Sequence, residues 1–213
     1  MEQTANRIGR SIAVLLALTV FPALSARAEE SPLDRFETVA RLGETALPLH
    51  GQGTRKATLF AVEVYHAAFY APSSMKGLVD ILAAPRPLRL DIRYVRDFDL
   101  EDTNEAWLYQ FRESSGSRPE EIAEDLRRLV SFQKAIRKGD LHRFDFESGR
   151  TVFYINEERR GEIAGERFQN ALLTVFFGPH PPTKELQRGL LAGPGPGAIA
   201  AARELAASKK GKP

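Results

Sequence analysis

Cysteine is missing from all 213 residues. That one absence removes disulfide frameworks, thiol nucleophiles, thiolate metal sites and c-type haem attachment. Histidine is scarce. The four imidazoles, His50, His66, His142 and His180, share no HxH or HxxxH spacing, whereas a zinc site needs three or four convergent ligands. Serine elbows of the GxSxG type, GxGxxG phosphate turns and Walker loops are absent as well, so no metal and no cofactor is expected. Excess charge is also lacking. The formal net charge of +2 lies entirely in the first 28 residues, where Arg7, Arg10 and Arg27 face only Glu2. The balanced remainder gives no electrostatic case for nucleic acid or for an anionic membrane surface.

Long apolar runs are limited to one, residues 11–24 (SIAVLLALTVFPAL). It follows Arg7 and Arg10 and precedes Ala26-Arg27-Ala28, and together these form the three parts of a secretory signal. The run is shorter than the roughly 20 apolar residues that cross a bilayer, and Pro22 interrupts it. Cleavage after Ala28 is therefore expected, leaving no membrane span. The organisation that follows is a signal peptide at 1–28, one domain at 29–193 and a flexible Ala/Gly/Pro/Lys-rich tail at 194–213, in a periplasmic or secreted protein. With 43% hydrophobic and 27% charged residues, the chain has globular composition, which excludes collagen-like, coiled-coil and largely disordered architectures.

Strand periodicity begins at Phe36, with turn signals at Gly43 and at Gly51-Gln52-Gly53. Residues 58–71 carry the strongest strand signal. Val62, Val64, His66, Ala68 and Tyr70 share one face, and Glu63, Tyr65, Ala67 and Phe69 the other, so both faces are partly apolar, as in a central strand. Pro72 stops it, and Ser74 caps a short helix through Leu82. Residues 88–95 alternate Leu88, Leu90, Ile92 and Tyr94 against Arg89, Asp91 and Arg93, which predicts a half-exposed strand. Asp99 caps a helix to about Glu113 with Leu100, Trp107, Leu108 and Phe111 inward. Pro119 opens another, which Gly139 closes. Strands at 141–146 and 151–156 pair across Ser148-Gly149. A charged turn at 157–161 then leads to a short strand at 162–163. A helix covers 166–177 and ends at Gly178-Pro179, and Thr183 caps the last short helix. Strands that come in runs, without regular alternation with helices, argue α+β: a mostly antiparallel sheet with helices gathered on one face.

Gly51-Gln52-Gly53-Thr54-Arg55 feeds the strongest strand. Two glycines permit a tight turn with positive φ, which would present Arg55 at the mouth of an aliphatic and aromatic neighbourhood. A guanidinium there suits a carboxylate or an enolate, because its planar fork donates two parallel hydrogen bonds. Taken by themselves, the residues fit better an arginine on the surface or one paired with a local acid such as Glu63.

A family resemblance shifts that balance. Residues 49–55 (LHGQGTR), followed by 64–70 (VYHAAFY), resemble the start of chalcone isomerase-like domains. So do Gly161-Glu162-Ile163-Ala164-Gly165 running into 168–173 (FQNALL), Phe177-Gly178, and the closing 182–186 (PTKEL) with Gly189-Leu190-Leu191. The likeness extends over roughly residues 36–193 and is greatest to the bacterial, signal-bearing branch. It implies an open-faced β-sandwich, a large antiparallel sheet with a layer of helices on one face and a ligand cleft between them.

In the plant isomerases of the family a cleft arginine stabilises developing negative charge, and Arg55 matches it. The other polar positions carry over incompletely. The threonine of the long strand falls at Tyr65, the tyrosine opening the next helix at Leu100, the asparagine further along it at Trp107, and a specificity-related Ser/Thr at Asn170. Loss of one preorganised donor typically removes about 2.7–4 kcal/mol of transition-state stabilisation, so efficient cyclisation is not expected. Non-catalytic relatives bind fatty acids, with the arginine and a tyrosine gripping the carboxylate. The resemblance thus implies an exported, non-catalytic protein that binds a small hydrophobic ligand such as a fatty acid, with Arg55, Tyr65, Asn170, Trp107 and Leu100 as site residues. The alternative is an intramolecular lyase or isomerase acting on a chalcone-like or other enolisable substrate.

Overall fold

Alternating side-chain patterns pair into seven strands, β1 (Val39–Leu42), β2 (Thr45–Ala57), β3 (Val62–Tyr70), β4 (Leu88–Tyr94), β5 (Leu141–Glu147), β6 (Arg150–Ile155) and β7 (Glu158–Ala164). They form one sheet in chain order, every neighbour antiparallel. The computed structural model describes residues 36–57, 61–72, 75–114 and 119–210. The expected signal peptide and the Ser74 cap lie outside them. Among the described residues there are six α-helices, α1 (Leu78–Ala83), α2 (Leu100–Ser114), α3 (Ala123–Phe132), α4 (Glu166–Phe177), α5 (Lys184–Leu190) and α6 (Pro196–Lys210), and one 3-10 turn at Pro119–Ile122 before α3. None of the described helices is long and apolar enough to cross a membrane.

Period-two alternation gives the sheet two unlike faces. Tyr65, Ala67 and Phe69 of β3 share a face with Leu88, Leu90 and Ile92 of β4 and with Phe144, Phe146 and Phe153 of β5 and β6, and all belong to the main core. The helix layer covers this face. Along α2 the buried residues Thr103, Trp107, Phe111 and Ser114 recur at helical spacing, and α4 buries Phe168, Leu172, Val175 and Phe176. The reverse face carries a smaller cluster that includes Phe36, Leu47, Ala68, Tyr70 and Leu141. Beside it lies a patch of cross-strand ion pairs. This is the expected α+β architecture, one large antiparallel sheet with its helices.

Several local readings are corrected. Gly51 and Gly53 do not make a turn. They lie inside β2, where the missing side chains let the backbone of α5 rest against the strand. A Cβ on Gly51 would overlap the carbonyl oxygens of Gly189 and Leu190, and one on Gly53 would press on Leu186. Of the strong strand expected over 58–71, β3 takes up Val62–Tyr70, with Val62 paired to Ala57, and residues 58–60 are outside the described set. Helix α3 ends at Phe132. Gly139, with φ +96°, instead shapes the approach to β5. The segment read as a charged turn and a two-residue strand is the seven-residue β7. In β4 the alternation is right but the exposure is not, because Asp91 is buried. Within the segment expected as the tail, α6 packs on β2 and buries Ala198 and Ala202.

Candidate functional site

Register builds the site. Arg55 pairs with Tyr65, and Tyr65 pairs with Tyr94, so the three side chains stand in one row across β2, β3 and β4 on the helix-covered face. Residues directly opposite in adjacent strands have neighbouring Cβ atoms, which is why a cation and two phenols meet here without being close in sequence. The Arg55 guanidinium carbon lies 5.7 Å from the centroid of the Tyr65 ring. The Tyr65 and Tyr94 rings meet edge to face at 5.7 Å. Trp107 of α2 and Phe176 of α4 form the roof and touch each other at 6.4 Å between centroids. Phe98 and Ile136, tied to each other by backbone hydrogen bonds, close one side. Together these groups line a mostly apolar hollow of about 120 Å³ that is open to solvent on one side. Asp102, exposed on α2, stands at its rim.

Thr103 and Gln110 at the hollow are bonded to Asp99, Ser114 and His180, but three of its polar groups, those of Arg55, Tyr65 and Tyr94, are not spent on the protein itself. Arg55 Nε is buried without a hydrogen-bond partner, and among the described residues no carboxylate pairs with its guanidinium. The expected competitor, Glu63, lies near Lys56 at 3.6 Å and His66 at 3.9 Å instead. Burial raises the Tyr65 hydroxyl well above the ordinary phenol range, with the Arg55 charge opposing only in part. Burial raises Tyr94 likewise, reinforced by Tyr65 and opposed by Arg55. Both phenols therefore stay protonated, and neither has a hydrogen-bond partner among the described residues. A fixed cation and two O–H groups facing an apolar hollow can receive a negative or carbonyl oxygen on a hydrophobic body. Among the described residues no group of His, Asp or Glu could hold a metal ion.

Of the site residues expected from sequence, Arg55, Tyr65 and Trp107 come together around this hollow. Leu100 and Asn170 do not. Leu100, 42% exposed, opens α2 outside the hollow. Asn170 lines a separate polar depression of about 310 Å³ beside Arg86 and Gln169. There the Gln169 side chain is occupied by the carbonyls of Glu147 and Arg150 and by Arg86. Leu100 stands about one helical turn before Thr103, the first buried residue of α2, and Asn170 of α4 lines the depression with Gln169 rather than the hollow with Phe176. Tyr94, Phe98 and Phe176 were the underweighted members. The alternation of β4 already put Tyr94 on the apolar face with Leu88, Leu90 and Ile92, and that was the signal available for it.

The family model for chalcone isomerase-like proteins matches residues 34–192. Among solved structures, a fatty-acid binding protein from Arabidopsis thaliana superposes with a TM-score of 0.59 at 18% sequence identity, covering 83% of this chain and 97% of the other. At that identity the likeness shows the fold alone. No curated protein is similar in sequence. With most of the chain, including every strand of the sheet and the whole Arg55 row, inside the matched span, this chain belongs to the chalcone isomerase-like family.

Proposed function

We propose that this is an exported, non-catalytic member of the family, from its bacterial signal-bearing branch, that binds a hydrophobic carboxylate such as a fatty acid, with Arg55 as anion anchor and Tyr65 as a second donor. The observation that carries the reading is the pairing state of Arg55, whose Nε is buried and unpartnered at the edge of an apolar hollow. A buried donor left unsatisfied costs about 1–3 kcal/mol, more when charged. A carboxylate removes that cost with charge-assisted, parallel hydrogen bonds. The Tyr65 hydroxyl, protonated and unpartnered, is the adjacent donor. The fatty-acid binding protein that shares the fold supports a ligand of this class. Export rests on the composition of residues 1–28.

The same geometry speaks against turnover. Where plant isomerases place a tyrosine hydroxyl and an asparagine amide, this chain has an exposed Leu100 and the aromatic wall of Trp107, and of the donors that α2 brings to the hollow, Thr103 and Gln110 are bonded within the protein and Tyr109 is largely exposed.

The test is calorimetric titration of octanoate and methyl octanoate into the wild type and Arg55→Ala. Affinity for the acid should fall roughly tenfold to a hundredfold, the equivalent of the about 1.5–3 kcal/mol carried by a hydrogen bond to a charged group. The ester should change less than about twofold. Equal losses for both ligands would remove Arg55 from the anchor role.

A further inference from the structure

Resting on that reading, the dimensions and the polarity of the hollow narrow the ligand class. A volume of about 120 Å³ is comparable to an engineered cavity of about 150 Å³ that admits one benzene, and lies below the roughly 300 Å³ at which drug-sized pockets begin. The walls are not free to retreat. Trp107 is braced edge to face by Phe144 at 5.6 Å and lies against Phe111 at 6.1 Å. Tyr94 is held between Tyr65, Phe98 and His142, the last at 4.8 Å. Interlocked rings packed at crystal-like density widen only by displacing one another.

A second polar end is also present. Arg55 and Tyr94 sit two strand spacings apart in the same row, roughly 9–10 Å at the backbone. A saturated chain laid between them would cover the Tyr94 hydroxyl with methylenes and leave it desolvated without a partner. A ring carrying an oxygen away from its carboxylate would give that hydroxyl an acceptor, and its faces and edges would meet aromatic walls in the geometries rings prefer.

We infer that the enclosed part of the cleft holds a single ring, and that the ligand is a compact arylcarboxylate bearing a second oxygen, its carboxylate on Arg55 and Tyr65 and its far oxygen at Tyr94. An extended acyl chain finds room for its first few carbons only and runs on into solvent.

Calorimetric titration separates the two classes. The probes are the straight-chain acids from butanoate to hexadecanoate, kept below micelle-forming concentrations, together with cinnamate and 4-hydroxycinnamate. Each methylene that is fully buried tightens binding about fourfold. The expected series rises in that way to about six carbons and is then flat, and 4-hydroxycinnamate binds at least tenfold tighter than nonanoate, its equal in carbon number. Tyr94→Phe should bring 4-hydroxycinnamate to within about twofold of cinnamate and should not weaken the alkanoates, since it removes the hydroxyl their methylenes would strand. A fourfold rise that continues to hexadecanoate, lost in Arg55→Ala, overturns the single-ring inference and leaves the Arg55 anchor standing. If none of the acids binds, or if all bind Arg55→Ala as well as wild type, the anchor fails and the inference falls with it. A hydroxyl preference that survives in Tyr94→Phe removes the far contact.

Discussion

His142 is the clearest case of a single side chain whose surroundings set a property of the molecule. It lies on the inward side of β5, between Ile92 and Ile155 in the flanking strands, with the Tyr94 and Phe153 rings edge-on at 4.8 and 5.3 Å. Both ring nitrogens are buried without a partner. Burial depresses the imidazole pKa from 6.5 to about 3, with Asp140 opposing and Lys134 adding to the shift. Below the unfolded value the unfolded chain takes up a proton that the folded protein refuses. This contribution to stability is therefore intact above pH 6.5 and is lost as pH falls from there toward 3. At about 1.4 kcal/mol per pH unit, the wild type should lose about 2 kcal/mol between pH 6.5 and 5 through this residue. His142→Leu should flatten that part of the profile, as read from urea midpoints at the two pH values, and an unchanged slope would assign the acid sensitivity to other groups. The sequence could place His142 on an inward strand face with Phe144 and Phe146. It could not reveal that both nitrogens lack partners, because Ile92 and Tyr94 come from β4, a strand distant in sequence.

At the scale of elements, the packing of α5 on β2 explains what the glycines are for. The motif around Gly51 and Gly53 was legible as a special backbone feature preceding Arg55, but a GxG written in one dimension does not distinguish a turn from a close approach. The deciding partner is Gly189, more than a hundred residues later, which offers its own bare backbone to β2. Leu186 and Leu190 of α5 then reach the main core, and Thr183 caps the helix by accepting from the Leu186 N–H, as its position before the helix had implied. Arg55, four residues on from Gly51, inherits its placement from this contact. Gly51→Ala should destabilise the protein by roughly 1–3 kcal/mol, the usual range for an over-filled contact, since two backbones would have to separate. Gly77→Ala is the control, because a methyl there meets open space, and it should stay within about 0.5 kcal/mol of wild type. Chemical denaturation of both variants checks the pair, and similar midpoints for the two would mean that the approach of α5 is softer than its geometry implies.

Considered as a whole, the molecule closes its two sheet faces by different physics. Helices seal the face that carries the hollow with apolar burial, whereas the reverse face draws on charge. Arg89 makes a bidentate pair with Asp145 at 2.6 and 2.8 Å, the side chains only 11% and 7% exposed. One pleat along, Arg143 bonds Asp91 at 3.0 Å and Glu157 at 2.7 Å. From β4 alone, Arg89 and Asp91 read as solvent-facing, since nothing local shows that β5 brings a complementary Asp145 and Arg143 into register. Removing one member of such a pair strands a buried charge and should cost about 3–5 kcal/mol, whereas replacing both by apolar groups of similar size is often neutral or stabilising. Arg89→Met alone should therefore unfold at much lower urea than wild type, and Arg89→Met with Asp145→Leu should recover most or all of the loss. Because the pair and the hollow lie on opposite sides of the sheet, the double variant should bind carboxylates with wild-type affinity. A double variant as unstable as the single one would show that this face depends on the ion pair itself, and recovered stability with lost binding would show that the two faces are coupled through the strands between them.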